Sequence, residues 1–100
     1  MQLNTVEIAK ILGYGSEIAA AEITEVSTDS RKVGAGTLFV ALKGERFDGH
    51  DFIREVLDKG ASAAVAEYVP AGTDPARVIV VEDTLKAFGK LGQYNRRQFK

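Results

Sequence analysis

The side chains best suited to chemistry lie in two short polar segments in the first half of the chain. The first segment, Thr28 to Arg31, places a carboxylate, a hydroxyl and a permanent cation in consecutive positions after Thr28. A guanidinium beside a hydroxyl suits a phosphate or carboxylate ligand, because the guanidinium donates two parallel hydrogen bonds. Asp and Ser also start turns by accepting hydrogen bonds from nearby backbone N–H groups, so a structural role stays open.

The second segment, residues 43–50, combines a turn sequence with features of an anion site. Asp48-Gly49 is a turn dipeptide, and His50 or Asp51 is placed to cap the helix that follows. A helix N-terminus with free N–H groups binds anions, and glycine lets a ligand approach the backbone closely. Each segment follows a predicted strand, so the two segments can converge on one ligand if those strands are neighbours.

Phe47 and His50 are the ring side chains of the second segment. Phe47 can stack on a planar base, or it can pin the loop as a core residue. His50 is interpreted as a helix cap or a solvated side chain, since the sequence places no Ser, Cys or Glu partner beside it. The chain also lacks a phosphate-binding loop, a dinucleotide fingerprint, a nucleophile elbow and a metal-ligand set. No catalytic or metal-binding residue is therefore predicted.

The composition predicts one folded domain. The chain has 100 residues, 45% of them apolar, with two Pro and no Cys. Its longest apolar runs are strand-sized and no signal-peptide core follows Met1, which argues against a membrane partner. A formal net charge of −1 without a broad basic face argues against nucleic acid. The absence of Cys suits the cytoplasm.

The elements that must position the two segments alternate between strand and helix patterns. Strands are predicted at residues 23–27, 37–42, 63–67 and 78–81. A first helix is predicted to begin at a capping box formed by Asn4 and Glu7 and to end at Gly13. Further helices are predicted at residues 51–59 and from Asp83 onward. The uninterrupted β-branched run at 78–81 predicts a central strand covered on both faces. This alternation predicts a single small α/β domain, a mixed sheet of about four to five strands flanked by helices.

The last helix carries the clearest prediction about side-chain orientation. Asp83 is its predicted N-cap, and Leu85, Phe88, Leu91 and Tyr94 are predicted to face the core.

Three stretches of the chain carry a resemblance to a known family. The run T-D-S-R-K-V-x-x-G-x-L-F-V-A-L-K-G, then F-D-G-H-D-F and later G-A-S-A-A-V-A-E, resembles the N-terminal domain of the Mur ligases, which build peptidoglycan precursors. Residues Phe47 to Phe52 are most similar to the MurF type, the UDP-N-acetylmuramoyl-tripeptide–D-alanyl-D-alanine ligase. The MurE type, which adds the third residue of the stem peptide, is the nearest alternative. The resemblance covers essentially the whole chain.

The resemblance implies that residues 1–100 form a domain that binds the UDP part of a UDP-N-acetylmuramoyl-peptide. By motif position, the residues implied to contact or shape this site are Thr28, Ser30, Arg31, Glu45, Arg46, Phe47, Asp48, Gly49 and His50. Ser30 matches the family motif directly, whereas Glu45 and Arg46 occupy a variable part of their loop. Backbone contacts can persist at those two positions whatever the side chain.

The resemblance also implies what this chain lacks. The central ATP-binding domain and the C-terminal domain of the family are expected to be absent, so ATP and Mg²⁺ are expected there and no cofactor in these residues. The chain alone is then predicted not to catalyse ligation. A bacterial, cytoplasmic location follows from the same resemblance. An interpretation from a different class is a folded scaffold or interaction domain that keeps the architecture and binds no nucleotide.

Overall fold

The computed structural model describes residues 3–13 and 18–98, with side chains described as far as Gly92. In chain order the elements are β1 (Leu3–Asn4), α1 (Thr5–Ile11), β2 (Glu22–Ile23), β3 (Glu25–Ser27), β4 (Thr37–Val40), α2 (Ile53–Asp58), β5 (Ala63–Ala66), β6 (Val78–Val80) and α3 (Thr84–Gln98). Short 3₁₀ turns precede α2 and β6, at Gly49–Phe52 and Pro75–Arg77. Within these ranges, no helix is both long and apolar enough to cross a membrane.

The strands form two separate sheets. Strands β3, β4, β5 and β6 make a parallel sheet in that spatial order, while β1 and β2 pair antiparallel apart from it. The predicted α/β class is confirmed, and the parallel and antiparallel pairings are divided between the two sheets. Because β3 to β6 are all parallel, their carboxyl ends lie along one edge of the larger sheet. Loops that leave this edge from neighbouring strands start side by side.

The predicted strand at 23–27 is divided between the two sheets. Ile23 pairs with Leu3 in the small sheet, whereas Glu25 pairs with Thr37 in the large one. The carbonyl of Gly36 accepts hydrogen bonds from the N–H groups of both Thr24 and Glu25, at 2.8 and 3.2 Å. The chain therefore passes from one sheet to the other at Thr24.

Two apolar clusters cover the two faces of the parallel sheet. Leu38 and Val40 of β4 point into the cluster that contains α1 and α3, and Phe39 points into the cluster that contains α2. This alternation is the two-residue period of a strand with both faces buried. Burial of each such side chain stabilises the fold by about 1.5–3 kcal/mol, so β4 is firmly held between the two polar segments that flank it.

The position of β6 differs from the prediction. Val78 and Ile79 are buried in opposite clusters, so β6 is covered on both faces as expected. However, β6 lies at the edge of the described sheet and not at its centre. A run of β-branched residues indicates that both faces of its strand are covered. Helices can cover both faces of an edge strand just as they cover those of a central strand, and they do so here. The run carries no information about neighbours in the plane of the sheet.

The predicted helix ends at α1 and α3 are confirmed. Asn4 Oδ1 accepts from the Glu7 N–H at 2.8 Å and Glu7 Oε1 accepts from the Asn4 N–H at 3.1 Å, which completes the capping box. Gly13 follows α1 with a φ of 84°. At α3, Asp83 Oδ1 accepts from the Lys86 N–H at 3.1 Å, as an N-cap does.

The predicted inward face of α3 is only partly correct. Leu91 is buried as expected, but Leu85 is 67% exposed and Phe88 is 37% exposed. The buried face is instead formed by Thr84, Ala87 and Leu91. Thr84 is bonded to a carboxylate at the end of β5, and this contact fixes the rotation of the first turn. Tyr94 lies outside the described side chains.

Candidate functional site

The two polar segments leave the same edge of the sheet from adjacent strands. The first follows β3, which ends at Ser27, and the second follows β4, which ends at Val40. Ser27 is in register with Phe39, so the two strands end within one residue of each other. We name residues 28–32 the first loop and residues 43–50 the second loop. The topology brings them together as predicted.

The first loop is closed by an ion pair within it. Asp29 Oδ1 accepts from the Arg31 backbone N–H at 2.9 Å and from its Nε at 3.1 Å, and Oδ2 accepts from Nη2 at 3.1 Å. These bonds, the guanidinium first and the backbone N–H second, lower the pKa of Asp29 to about 2. The Arg31 side chain is 84% exposed. The pair orders the loop while the guanidinium stays in solvent.

Ser27, the last residue of β3, completes the turn and leaves the hydroxyl groups of the first loop free. The Ser27 hydroxyl accepts from the Asp29 N–H and donates to the Asp29 carbonyl, both at 3.1 Å. Ser30 is half-buried and Thr28 is exposed. Among the described residues, neither of these two hydroxyls has a hydrogen-bond partner. The structural role that the sequence left open for this segment is therefore carried by Ser27 and Asp29, and the hydroxyls of Thr28 and Ser30 take no part in it.

The second loop projects an aromatic ring into solvent. The Gly44 N–H donates to the Phe47 carbonyl at 2.8 Å, which makes a tight turn with Glu45 and Arg46 exposed at its tip. Phe47 is 62% exposed, so the prediction that it pins the loop as a core residue is wrong. An exposed ring face is the arrangement that stacking on a planar ligand requires.

Asp48 caps the turn that follows the second loop. Its Oδ1 accepts from the His50 backbone N–H at 3.0 Å and contacts the His50 Nδ1 at 2.6 Å. These bonds, the backbone one first, hold the pKa of Asp48 below its usual range. The predicted caps, His50 and Asp51, are therefore corrected to Asp48, because only a side chain ahead of the turn reaches its free N–H groups.

His50 is a buried structural residue that joins two strands. It is 3% exposed, so the interpretation as a solvated side chain is wrong. Its Nε2 accepts from the Glu67 backbone N–H at 2.9 Å, which places the ring proton on Nδ1, facing Asp48. The ring also stacks on Tyr68, with centroids 4.7 Å apart and planes 10° from parallel. Both ring nitrogens have protein partners, so His50 acts by holding the second loop.

Gly49 is required by the packing of the backbone. A Cβ at this position would lie 2.9 Å from both the N and O atoms of Leu42 and 3.0 Å from the Cα of Ala41. The Gly49 N–H also donates to the Leu42 carbonyl at 2.7 Å. The close approach that needs a glycine here is thus made by the chain itself, at the base of the second loop.

Sequence reasoning did not find the role of the end of β5. The Glu67 N–H binds His50, and its carboxylate accepts from the Thr84 backbone N–H at 3.1 Å. Glu67 thereby connects the second loop to the first turn of α3. These residues are far apart in sequence, and no local pattern signals the contact. The pairing of β4 with β5 and of β5 with β6 brings them together.

A separate surface depression of about 270 Å³ lies beyond β6. It is lined by Leu12, Val81, Glu82, Asp83, Lys86, Ala87 and Lys90. None of these residues belongs to either loop, and β5 lies between β6 and the strands that carry the loops. The depression is therefore distinct from the candidate site.

The side chains of the candidate site are hydroxyls, one guanidinium and one aromatic ring. In the parts of the chain that the structure describes, no three His, Cys, Asp or Glu side chains are grouped to hold a metal ion. The loops after β3 and β4 also lack the sequence of a phosphate-binding loop. The residues present fit a polar ligand held by hydroxyls, one guanidinium and one aromatic ring.

Comparison with known proteins agrees with this architecture. The family model described as "Mur ligase family, catalytic domain" matches residues 22–96. A UDP-N-acetylmuramoyl-tripeptide–D-alanyl-D-alanine ligase from Escherichia coli is 46% identical over 84 residues, covering 82% of this chain and 18% of the relative. A UDP-N-acetylmuramoyl-L-alanyl-D-glutamate–2,6-diaminopimelate ligase from Aquifex aeolicus is 41% identical over 90 residues, covering 90% and 18%. The crystal structure of MurF from Acinetobacter baumannii superposes with a TM-score of 0.83 at 36% identity, covering 98% of this chain and 22% of that one.

These matches define a small α/β domain of the kind found in peptidoglycan ligases. The chain belongs to the Mur ligase family, as its motifs predicted. It spans about a fifth of the length of the relatives it matches. Relatives of both the MurF type and the MurE type are found, and the structural neighbour from Acinetobacter baumannii is a MurF enzyme.

Proposed function

We propose that this chain binds the UDP part of a UDP-N-acetylmuramoyl-tripeptide for a MurF-type ligase in the bacterial cytoplasm. The observation that carries the proposal is the pairing of two loops at one sheet edge, one with unpartnered hydroxyls and the other with an exposed aromatic ring. The names of the relatives supply the substrate class. Reaction requires the remainder of the ligase, and the chain contributes by holding the substrate.

Each loop suits a different part of a nucleotide. The hydroxyls of Thr28 and Ser30 are free to donate to phosphate or ribose oxygens. Arg31 uses its Nε and one Nη2 hydrogen on Asp29, so three of its five N–H donors remain for a diphosphate. The ring of Phe47 offers a face for the uracil base. Asp48, Gly49 and His50 hold the second loop in place beneath that ring.

A MurE-type substrate is the second candidate. It is supported by the Aquifex aeolicus relative, whose 41% identity over 90 residues is close to that of the MurF-type relative from Escherichia coli. The two substrates share the UDP part and differ in the peptide. The proposed contacts of the two loops are therefore the same in both cases.

Titration of the chain with UDP, followed by amide chemical shifts, tests the proposal. We expect shifts concentrated at Ser30 and Phe47. Replacing Ser30 with Ala should weaken binding roughly two- to tenfold, the equivalent of one hydrogen bond of about 0.5–1.5 kcal/mol, with the free energy of unfolding unchanged. The absence of shifts at millimolar UDP would contradict the proposal and favour a scaffold that binds no nucleotide.

Ser27→Ala, at the end of β3 directly before the first loop, is the matched control. The Ser27 hydroxyl bonds both the N–H and the carbonyl of Asp29, so its loss should lower the free energy of unfolding by about 1 kcal/mol. A stability loss of that size in Ser30→Ala would instead assign Ser30 to the turn.

A further inference from the structure

Tyr68 places an exposed aromatic ring beside the second loop. It follows β5 at the sheet edge that carries the two loops, because β5 pairs in parallel with β4 and Val65 is in register with Val40. Tyr68 is 51% exposed, and Phe47 is exposed as well. Two exposed aromatic side chains therefore follow neighbouring strands at one edge. Open α/β sheets bind their ligands outside the carboxyl ends of the strands, so both rings lie where a ligand is expected.

The ring of Tyr68 is held in place although it is not buried. Its plane lies 10° from that of the His50 ring, with the two centroids 4.7 Å apart. His50 is itself fixed, since it is buried and its two ring nitrogens are bonded to the Asp48 carboxylate and the Glu67 N–H. The stack therefore orients the Tyr68 ring before any ligand is bound. Because His50 covers one side of this ring, the exposure of Tyr68 lies on the remaining surface of the side chain.

An aromatic ring that is both exposed and fixed is a preorganised binding surface. A Tyr side chain offers a large contact area and has only two torsions to immobilise, so it loses little entropy on binding. The stack on His50 has already limited these torsions, which lowers the entropy loss further. The same stack also shields His50 from water. This structural role uses one side of the Tyr68 ring and leaves the other side open to a ligand.

We propose that Tyr68 is a further ligand-binding residue, which contacts the planar pyrimidine base of the nucleotide beside Phe47. The proposal rests on the proposed function, since it takes the two loops to bind UDP. The strand order places the second loop between the first loop and Tyr68. A nucleotide whose phosphates lie at the hydroxyls and guanidinium of the first loop extends its base across the second loop toward Tyr68. Aromatic side chains suit this part of the ligand, because every base has a π-face on which they stack.

Titration of Tyr68→Ala with two ligands tests the base contact. UDP carries the base, whereas ribose 5-phosphate keeps the ribose and a phosphate and has no base. We expect UDP to bind Tyr68→Ala about tenfold more weakly than the parent chain, a loss typical of one base that stacks on an aromatic ring. The affinity for ribose 5-phosphate should be unchanged. Amide chemical shifts of the first loop report both titrations, and the free energy of unfolding is measured alongside, since the substitution also uncovers His50.

Three further variants make the test specific. Tyr68→Phe keeps the ring and should recover the UDP affinity that Tyr68→Ala loses. Val69→Ala is the matched control, because Val69 is the exposed neighbour of Tyr68 and has no ring to stack on a base. It should leave the affinities for both ligands unchanged. Tyr68→Leu keeps an apolar side chain against His50 and removes the flat ring, so it should weaken UDP binding as Tyr68→Ala does and replaces that variant if it does not fold.

The outcomes separate the base contact from the proposed function. If the parent chain binds UDP and the Ala and Leu variants of Tyr68 bind it equally well, the base contact is overturned and the proposed function stands. If these variants lose affinity for UDP and ribose 5-phosphate to the same extent, the base contact is also overturned, because Tyr68 then acts only by holding His50. If the parent chain binds no UDP, the proposed function fails and the base contact fails with it.

Discussion

The two loops of the candidate site use the same local device with different consequences. In each, an aspartate accepts the backbone N–H of the residue two positions later: Asp29 from Arg31 at 2.9 Å, and Asp48 from His50 at 3.0 Å. In each, the aspartate also binds the side chain of that same residue. The local motif is therefore shared, as expected for an aspartate that starts a turn.

The loops differ in where the partner's side chain goes. Arg31 extends into solvent, whereas the buried His50 passes the contact on to the Glu67 backbone at the end of β5. The first loop is therefore ordered by its own residues, and the second is a part of the fold. The comparison teaches that substitution of Arg31 should leave the fold intact, whereas substitution of Asp48 or Gly49 should lower its stability.

Gly49→Ala should have the largest effect, because it acts at the base of the second loop. The added Cβ would lie 2.9 Å from two backbone atoms of Leu42, and backbone does not yield as a flexible side chain does. We expect a loss of roughly 3 kcal/mol in the free energy of unfolding, measured by chemical denaturation.

Gly44→Ala is the control within the same loop. Its added Cβ would lie 3.4 Å from the Phe47 ring, an ordinary contact, so stability should change little. If Gly49→Ala and Gly44→Ala were equally stable, the second loop would not depend on its close packing against β4, and the contrast between the loops would fail.

The variants Asp48→Ala and Asp29→Ala compare the two aspartates directly. Asp48→Ala removes a cap and leaves the buried His50 Nδ1–H without its acceptor, so we expect a loss of roughly 2 kcal/mol. Asp29→Ala removes bonds to an exposed guanidinium and should cost distinctly less. Equal losses in the free energy of unfolding, measured by chemical denaturation, would show that burial of the partner of each aspartate does not affect stability.

The pH dependence of the Asp48 contribution has a defined sign. The pKa of Asp48 is lower in the folded chain than its ordinary value of 3.8, so its carboxylate stabilises the fold above about pH 4. That contribution is lost as the pH falls through the folded pKa. The stability of Asp48→Ala should therefore decline less steeply below pH 4 than that of the parent chain.

The sequence patterns predicted those features of the fold that depend on neighbouring residues. The capping box of α1, the Asp83 cap and the buried strand at Thr37–Val40 were all predicted from short-range patterns, and the structure confirms them. The edge position of β6 was not predicted, because it depends on the order of the strands in the sheet. The rotation of α3 was not predicted either, because it depends on the contact between Glu67 and Thr84. Periodicity reports which faces are covered and not what covers them.

The same division holds within the candidate site. Two loops at one sheet edge were predicted from the strand patterns that precede them, and the sheet topology bears this out. For Phe47 the sequence left an exposed ring and a core residue as alternatives, and the burial of His50 was not predicted, since the type of a residue in a turn does not fix its environment. Tyr68 was missed because it reaches His50 only through β5.

Arg31→Ala should produce the smallest effect and is the most specific probe of the first loop. The guanidinium is the largest cause of the low pKa of Asp29, and the Arg31 backbone N–H, which remains in the variant, is the second. The pKa of Asp29 should therefore rise from about 2 part of the way toward 3.8, as followed by the carboxyl carbon shift in a pH titration.

Lys32→Ala is the control for Arg31→Ala, because the Lys32 side chain lowers the pKa of Asp29 only through its charge and less than the Arg31 side chain does. It should leave the pKa of Asp29 near 2, and neither variant should change the unfolding free energy as Gly49→Ala does. Equal pKa changes in both variants would mean that the first loop is ordered by general charge and not by the guanidinium fork.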